Sequence, residues 1–435
     1  MSAFLGMRGT GDWVTDQRPK NWRETILFLY PNGSMPLTAI MSKMKSEKTD
    51  DPQFYWWTKT LPTQSATVTG IYTDSGLTSA YSSGGVAGSA LYLKMAAADV
   101  IHFRAGHTVL LRDASDFTVD VIAKVTAATA NGSSSSIAVK LLEADDNSSY
   151  SHDLSDCDTV IVAGNLNAEG AAMPTAIAYD PAKLYNYTQI FRTSLSITRT
   201  ARRTKLRTGD QYKEAKREAL ELHGIEMERA FLFGVPYEGT GDNGKPERTT
   251  EGLITCIRTN NSIGVSDFTL NASYHGKAWL DDGGGEDFLD TYLEQVFRYG
   301  RQEKLAVCGT GALLGLNKLA RANGHFTMTS TTKAYGINVV EWVTPFGTIF
   351  LKTHPLFNIE PSLRSSMVIF EPENCVYRYI DDTTFYGEGG KTASEGTSGG
   401  RTDGTQEEFL TECGLEYHHP YTACFLNGIG SDHSS

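Results

Sequence analysis

The sequence predicts an α+β fold with several sub-structures in one chain of 435 residues. Alternation of polar and apolar residues favours β-strands between 99 and 164, whereas helical spacing governs 209–234 and 287–300. A buried-strand run, KLAVCG, follows the second of these helices and precedes a third, TGALLGLNKLARANG, which is the order of a compact α/β layer. Chains of this length usually form two or three domains.

The first part of the chain predicts an extended arm followed by two short helices. Residues 1–20 show no period and contain three glycines. Helices are predicted at 21–30, where Asn21 can cap the first turn, and at 37–45. Two short helices cannot form a core alone, so both are expected to lie against other parts of the fold.

Four consecutive aromatic residues, Phe54–Trp57, open a strand-like stretch. Such a run is common in core strands, and it is also a feature of contact patches, because Trp and Tyr are favoured at interfaces. Both interpretations stay open at this point. Residues 70–90 are rich in Gly, Ser and Thr and predict a loop.

Residues 99–164 predict a small β-subdomain. The segment FTVDVIAKV places five apolar side chains on one face: Phe117, Val119, Val121, Ala123 and Val125. The subdomain separates two strand-like stretches, FYWWTKTLPTQSATV and YNYTQIFRTSLSIT. We expect these flanking stretches to pair with each other as a long hairpin.

A polar ribbon, a basic turn and a long charged helix follow between 185 and 234. The ribbon has no continuous apolar face, so it is expected to bury its surface on other copies of the chain. The helix is predicted to carry two apolar stripes, one through Tyr212, Ala215, Ala219 and Leu222 and one through Leu220, Met227 and Phe231. The basic residues of 199–207 favour contact with an acidic surface of a neighbouring subunit, with DNA contact and a solvated face as alternatives.

The last third predicts further strands. The segment 337–357 has the pattern of a hairpin that turns at Pro345–Gly347. Residues 383–408 are rich in Gly, Ser and Thr and predict a loop, and the segment EFLTECGLEYHHPYTACFLNGIG is strand-like.

Charge and cysteine usage limit the function classes. The net charge of −12 argues against DNA binding by bulk electrostatics. The six cysteines are widely separated and form no CxxC pair, which favours reduced thiols. The sequence has no run of signal-peptide type and no apolar stretch long enough for a membrane span.

Signatures of metal binding and catalysis are weak. The best zinc candidate, Cys413-x4-His418-His419-x4-Cys424, lacks the usual knuckle spacing, and adjacent residues of a strand face opposite sides. The acidic run 281–287 lacks the ligand order of an EF-hand and suits the start of a helix. Cys308 is predicted to be a buried thiol. The motifs GxSxG and GxxxxGK[ST] are missing from the sequence, so we expect no catalytic site, no cofactor and no metal.

Four ordered stretches carry a family resemblance: NWRETILFLYPNGSMPLTAIMSKMKSEKTDDPQFYWW, NAEGAAMP with NYTQIFRTSLSITRTA, EAKREALELHGIEMERAFLFG, and LTECGLEYHHPYTACFLNGI. In this order they resemble the major capsid proteins of tailed bacteriophages, which have the Hong-Kong-97-type fold. The likeness covers nearly the whole chain. It indicates the branch of the family in which a β-subdomain is inserted into the extended loop.

The resemblance implies a division of the chain into an N-terminal arm, an extended loop with its insertion, a peripheral domain built on the long helix, and an axial domain. By position, the arm is 1–50, the extended loop 51–98 and 166–205, the inserted β-subdomain 99–165, the peripheral domain 206–250 and 341–435, and the axial domain 251–340.

The resemblance also implies a shell that self-assembles around the double-stranded DNA genome of a phage. The candidate contacts between subunits are Trp13, Trp22, Tyr55, Trp56, Trp57, Lys59, Arg199, Arg202, Arg203, Lys205 and Arg207. Some members of the family cross-link Lys to Asn; Lys59 lies in the corresponding loop, and no Asn partner is assigned to it.

The expected partners are further copies of the chain in hexamers and pentamers, a separate scaffolding protein, a portal and, in some shells, a decoration protein. The DNA is expected to be enclosed without sequence-specific contacts, and no membrane is involved. The expected localisation is the virion, after assembly in the host cytoplasm. The alternative function is a virion decoration or glycan-binding β-protein based on 99–165, and a thiol hydrolase using Cys308 is a third class.

Overall fold

The computed structural model of the protein describes residues 45–59, 62–113, 120–145, 154, 157–204, 210–323, 327–334, 337–387 and 404–433. The helices predicted at 21–30 and 37–45 lie outside these residues, apart from Lys45, as do Trp13, Trp22, Lys205 and Arg207. The described residues form two compact units: one is Lys59–Ala182, and the other combines the residues before Lys59 with those from Lys183 onward.

Strands make up most of the regular structure of the described residues. In chain order they are β1 (Ser46–Lys48), β2 (Gln53–Thr58), β3 (Ser65–Tyr72), β4 (Ala90–Met95), β5 (His107–Arg112), β6 (Asp120–Thr129), β7 (Ser136–Leu141), β8 (Thr159–Asn165), β9 (Ala182–Tyr187), β10 (Gln189–Thr198), β11 (Tyr237–Thr240), β12 (Pro246–Thr249), β13 (Val265–Asp267), β14 (Glu303–Cys308), β15 (Thr327–Ala334), β16 (Ile337–Val343), β17 (Thr348–Thr353), β18 (Met367–Phe370), β19 (Cys375–Gly387), β20 (Gly404–Tyr417) and β21 (Cys424–Asn427). The α-helices are α1 (Ala97–Val100), α2 (Arg199–Arg203), α3 (Gln211–Phe233), α4 (Leu253–Asn260), α5 (Gly285–Phe297), α6 (Thr310–Asn323) and α7 (Pro355–Ile359).

The unit Lys59–Ala182 is a closed barrel with the strand order β3-β4-β7-β6-β5-β8. Its interior is filled by alternate residues of each strand, as the pleat of a strand requires. On β6, Val121, Ala123 and Val125 are buried, whereas Ile122 faces outward. The predicted alternation is therefore confirmed for the described part of this strand.

The barrel starts earlier in the chain than the predicted boundary at residue 99. β3 pairs with both β4 and β8, and Val68, Ile71, Leu91 and Leu93 are buried in the barrel core. The segment 65–95 therefore belongs to the β-subdomain and not to the arms of the extended loop. The Gly- and Ser-rich stretch 70–90, predicted to be a loop, supplies the end of β3 and the connection to β4.

The second unit contains a four-stranded sheet with the order β1-β19-β20-β10. β10 pairs along its whole length with β20, from Gln189 opposite Cys413 to Thr198 opposite Gly404. Phe191, Leu195 and Ile197 of β10 are buried. The prediction that the ribbon has no apolar face to bury in its own chain is therefore wrong for β10, because a strand distant in sequence covers its edge and α3 packs on its apolar face.

The predicted hairpin between the two stretches flanking the barrel forms only in part. β2 and β9 pair as a two-stranded ribbon, as expected. β3 continues into the barrel and β10 into the four-stranded sheet, so the pairing ends there. The prediction of a loop over 383–408 is wrong at both ends, since 383–387 belong to β19 and 404–408 to β20. Residues 388–403 lie outside the described residues.

The long helix α3 begins next to its cap Asp210, whose side chain accepts a hydrogen bond from the Tyr212 N–H. Its buried stripe passes through Ala219, His223, Met227 and Phe231, which are four residues apart. His223 lies in this stripe because two hydroxyl groups of the sheet bind its ring nitrogens. Leu220 and Leu222, which were assigned to the two predicted stripes, are exposed.

A seven-stranded sheet with the order β13-β21-β18-β14-β17-β16-β15 completes the second unit. Residues of α5 and α6 share a buried core with strands of this sheet. The hairpin β16–β17 turns at Thr344–Gly347, as predicted. The predicted boundary at residue 341, between the axial and peripheral domains, falls inside this sheet. β17, β18 and β21 follow that residue, but they pair within the seven-stranded sheet and not within the four-stranded sheet on which the long helix packs.

Candidate assembly surface

The β2–β9 ribbon separates the four aromatic residues of Phe54–Trp57 into two faces. Phe54 and Trp56 are 6% and 8% exposed and stack on each other, whereas Tyr55 and Trp57 are 44% and 64% exposed. Successive side chains of a strand point to opposite faces, so one run of aromatics serves both as core and as surface. The core interpretation is confirmed for Phe54 and Trp56, whereas Tyr55 and Trp57 are exposed and stay candidates for a contact patch.

The inner face of the ribbon is anchored by Asn186, which is 1% exposed. Its Nδ2 donates to the carbonyl oxygen of Leu415 at 2.6 Å, to that of Glu251 at 3.2 Å and to Oγ1 of Thr250 at 3.2 Å. Its Oδ1 accepts from the N–H of Glu251 at 2.7 Å. A buried amide with this many partners fixes the ribbon to β20 and to the segment before α4.

The outer face of the ribbon carries a row of aromatic rings with a cation at one end. We call the set of exposed Tyr55, Trp57, Lys183 and Tyr185 with half-buried Tyr187 the aromatic ribbon. The ring centroids of Tyr55 and Tyr185 are 6.3 Å apart, and those of Tyr185 and Tyr187 are 5.7 Å apart in an edge-to-face arrangement. The Nζ of Lys183 lies 3.6 Å from the centroid of Tyr55, a cation–π contact. These contacts hold the rings in defined orientations before any partner binds.

The hairpin β11–β12 lies beside this row. An ion pair links its two strands, with Nε of Arg248 2.8 Å from Oε1 of Glu238. Burial raises the pKa of the Tyr187 hydroxyl, and the charge of Glu238 raises it further. The neighbouring Tyr237 is exposed, so it enlarges the aromatic surface.

The structure places two further predicted contact residues of this region in different settings. Trp56 is part of the chain's own core, where its ring centroid lies 6.4 Å from that of His418, so it is not an available contact surface. Lys59 follows β2 directly and is exposed. Asn186 and Tyr187 were not selected from the sequence, although the alternation Tyr185-Asn186-Tyr187 places them on opposite faces of a strand.

The basic turn forms the short helix α2, with Thr198 as its cap: the Thr198 hydroxyl accepts from the Ala201 N–H. Arg199, Arg202 and Arg203 are exposed. The guanidinium carbon of Arg202 lies 4.8 Å from the ring centroid of Tyr212, whose hydroxyl donates to Glu407 at 2.5 Å. Arg202 therefore contributes to packing within the chain, and Arg203 is the better probe of contacts with other molecules.

The thiols behave as structural residues. Cys308 is fully buried, and burial raises its pKa to about 12, which disfavours the thiolate needed for nucleophilic attack. Cys413 and Cys424 are buried in different sheets, on β20 and β21. His418 is bound by Glu416. The two cysteines therefore pack in strands of the chain, whereas His418 and His419 follow the end of β20 and are not strand residues.

The acidic run 281–287 leads into α5, with Glu286 and Asp287 in the first helical turn, as the helix-dipole interpretation predicts. In the part of the chain that the structure describes, no group of three or more His, Cys, Asp or Glu residues is arranged to hold a metal ion. Every helix described is too short or too polar to cross a membrane.

Comparison with known proteins identifies similar chains along almost the full length. The family model of the SU10 major capsid protein matches residues 8–430. The major capsid protein of Pseudomonas phage PaMx41 is 24% identical over 442 residues, covering 99% of this chain and 97% of that protein. Among solved structures, a chain of Mycobacterium phage Cain aligns with a TM-score of 0.47 at 8% identity, covering 99% of this chain and 96% of that one. A chain of Microbacterium phage Oxtober96 aligns with a TM-score of 0.44 at 8% identity, covering 98% of each.

The decoration or glycan-binding alternative is not favoured, because the family match extends from residue 8 to residue 430 and is not restricted to the barrel. A match over this length assigns the whole chain, and not only the barrel, to one family. The chain belongs to the SU10 major capsid protein family.

Proposed function

We propose that the aromatic ribbon is one of the contacts by which this major capsid protein, a homo-oligomeric component of the phage virion, joins its neighbours in the capsid shell. The observation that carries the proposal is the exposure of Trp57, 64%, on a ribbon whose opposite face is buried. A large exposed Trp beside Tyr rings is the composition of an interface hot spot.

Preorganisation supports this proposal. Association costs side-chain entropy for each residue that becomes ordered at the contact. In the aromatic ribbon, the rings of Tyr55, Tyr185 and Tyr187 already contact one another, and Asn186 fixes the strand beneath them. Much of that cost is therefore met during folding, and several such contacts in a closed shell reinforce one another.

The basic turn is proposed as a second contact, in which Arg199 and Arg203 meet acidic groups of a neighbouring subunit. The net charge of −12 provides such groups on every copy. This proposal retains the sequence prediction for these residues, while Arg202 also serves packing inside the chain.

Further aspects of the role follow from the family. We propose that the subunits form the hexamers and pentamers of a shell with the Hong-Kong-97-type fold, assembled in the host cytoplasm with a separate scaffolding protein and a portal, and in some cases with a decoration protein. The shell encloses double-stranded DNA without sequence-specific contacts, which the acidic composition supports. No reaction is catalysed by the chain in this role.

The test is assembly after removal of the exposed rings. The double variant Tyr55→Ser with Trp57→Ser is co-expressed with the other head proteins of its phage, and particles are counted by electron microscopy and sedimentation. We expect folded subunits and at least a tenfold loss of particles, since hot-spot truncation commonly costs about 2 kcal/mol or more per contact.

The matched control is Ile101→Ser, which removes a side chain that is 60% exposed on the barrel unit. Circular dichroism and the thermal midpoint of both variants should equal those of the wild type. Wild-type particle yield from the double variant, with the rings absent, would show that the aromatic ribbon is not a contact.

A further inference from the structure

The segment 428–433 lies along the loop that precedes α5. The N–H of His433 donates to the carbonyl oxygen of Lys277 at 3.1 Å, and the N–H of Trp279 donates to Oδ1 of Asp432 at 2.9 Å. These two bonds hold the two segments side by side. As a result, the imidazole rings of His275 and His433 face each other with their centroids 5.2 Å apart and their planes at 51°.

His433 has an unusual environment for an imidazole. Both ring nitrogens are shielded from solvent, and neither has a hydrogen-bond partner among the described residues, His275 included. A polar atom that loses water without gaining a partner destabilises the fold, so such atoms need a structural reason. The partner ring, His275, is exposed.

The separation of the rings matches two ligands of one tetrahedral ion. A metal–nitrogen bond of about 2.1 Å places the ring centre about 3.2 Å from the ion, and the tetrahedral angle then separates two ring centres by about 5.2 Å. The observed separation is 5.2 Å. Two imidazole nitrogens suit Zn²⁺ and the neighbouring late transition metals, and water can complete the coordination.

The local charge also favours a cation. Asp432 is adjacent in the chain, and Asp281 and Asp282 lie in the facing loop, where Oδ2 of Asp281 accepts from the Ala278 N–H. The facing cation is Lys277, whose Nζ donates to the carbonyl oxygen of Asp282 at 3.0 Å. Three carboxylates against one ammonium leave the surroundings of the two rings acidic.

We propose that His275 and His433 form a two-histidine site for a divalent transition metal such as Zn²⁺, which fastens the segment 428–433 to the loop 271–284. The site has two protein ligands, which agrees with the finding that no group of three candidate ligands is arranged for a metal in the described residues. It is independent of the aromatic ribbon and of the basic turn.

The experiment is a calorimetric titration of ZnCl₂ into the full-length protein after EDTA treatment and dialysis. The wild type is expected to bind one Zn²⁺ per chain, and His275→Ala and His433→Ala are each expected to weaken the affinity at least tenfold. His419→Asn is the matched control, because Asn tolerates the left-handed backbone of that residue at φ 54° and leaves the site intact.

A second measurement covers the case in which His433→Ala disturbs the fold. Zn²⁺ should slow hydrogen exchange of the His433 amide in the wild type and not in His275→Ala, whose substituted residue is exposed. The proposal is overturned if the wild type binds no Zn²⁺, if either alanine variant binds it with wild-type affinity, or if Zn²⁺ leaves the exchange of that amide unchanged.

Discussion

Asn186 on β9 donates from Nδ2 to the carbonyl oxygen of Leu415 on β20 at 2.6 Å, although the two residues are 229 positions apart in the sequence. This bond joins the ribbon that carries the aromatic surface to the sheet on which α3 packs. Asn186 therefore fixes the position of Tyr185 and Tyr187, although its side chain points to the opposite face of β9.

Replacing Asn186 with Ala should lower the free energy of unfolding by about 2 to 4 kcal/mol, because the N–H of Glu251 and the carbonyl of Leu415 lose a buried partner. Urea unfolding measures this difference. The control is Asn167→Ala, an exposed residue whose Nδ2 donates to Oδ1 of the nearby Asn165, for which about 0.5 kcal/mol or less is expected. Equal stabilities for the two variants would contradict the anchoring role.

Glu251 should make stability dependent on pH. Burial raises the pKa of its carboxyl from 4.5 to about 7, so the folded state holds a proton that the unfolded state has released between these values. The associated stability is fully present below pH 4.5 and is lost as the pH rises through about 7. Glu251→Gln should therefore be more stable than the wild type at pH 8, by about 1 to 3 kcal/mol, and the gap should shrink at pH 5. Urea unfolding at both pH values measures the stability difference between the variant and the wild type. A difference that does not change with pH would exclude a role of Glu251 in the pH dependence.

The buried ion pair of Lys304 and Glu371 gives a third prediction. Nζ of Lys304 lies 2.6 Å from Oε1 of Glu371, and both side chains are almost completely buried. Burial lowers the pKa of Lys304, and the bond to Glu371 opposes that shift. Lys304→Met should cost about 3 to 5 kcal/mol, because it leaves a carboxylate buried without its counter-charge.

The double variant Lys304→Met with Glu371→Gln should recover part of that loss, since the uncompensated charge is removed and the Gln side-chain oxygen can still accept from the Arg301 N–H. Chemical unfolding of the two single variants and the double variant completes the cycle. Strictly additive effects would show that the two groups do not interact.

The basic turn gives a prediction about assembly rather than folding. Arg203→Glu should raise the protein concentration needed for particle formation by about fivefold or more, because a like charge would then face the acidic neighbour that we propose for this turn. Lys213→Glu, a charge reversal at another exposed residue, on α3, serves as the comparison. Light scattering across a concentration series measures the assembly of both variants. Identical curves for Arg203→Glu and the wild type would show that this turn is not part of an interface.

Much of the local structure could be predicted because it depends on short-range patterns. The alternation in FYWW places Tyr55 and Trp57 on one face of a strand whatever lies around it. Asp210 and the acidic residues before α5 mark where helices begin, since they satisfy or complement the first helical turn. The thiol of Cys308, in a run of apolar residues, is buried as expected.

The candidate surface was harder to predict because it depends on long-range pairing. β10 is polar at alternate positions and resembles a solvent-exposed ribbon, but β20 pairs with it after a long separation in the chain. His223 and Asn186 occupy core positions since distant hydroxyl and carbonyl groups bind them. No window of the sequence contains both partners of such a bond.

The sequence by itself determined the α+β class, the family and the faces of individual strands, because these follow from periodicity and from an ordered set of local patterns. The tertiary structure alone decided which face is buried: Phe54 and Trp56 lie in the core, and Tyr55 and Trp57 stay exposed. The physical reason is that burial depends on which distant segment covers a face, and only the folded chain brings β2, β9 and β20 together.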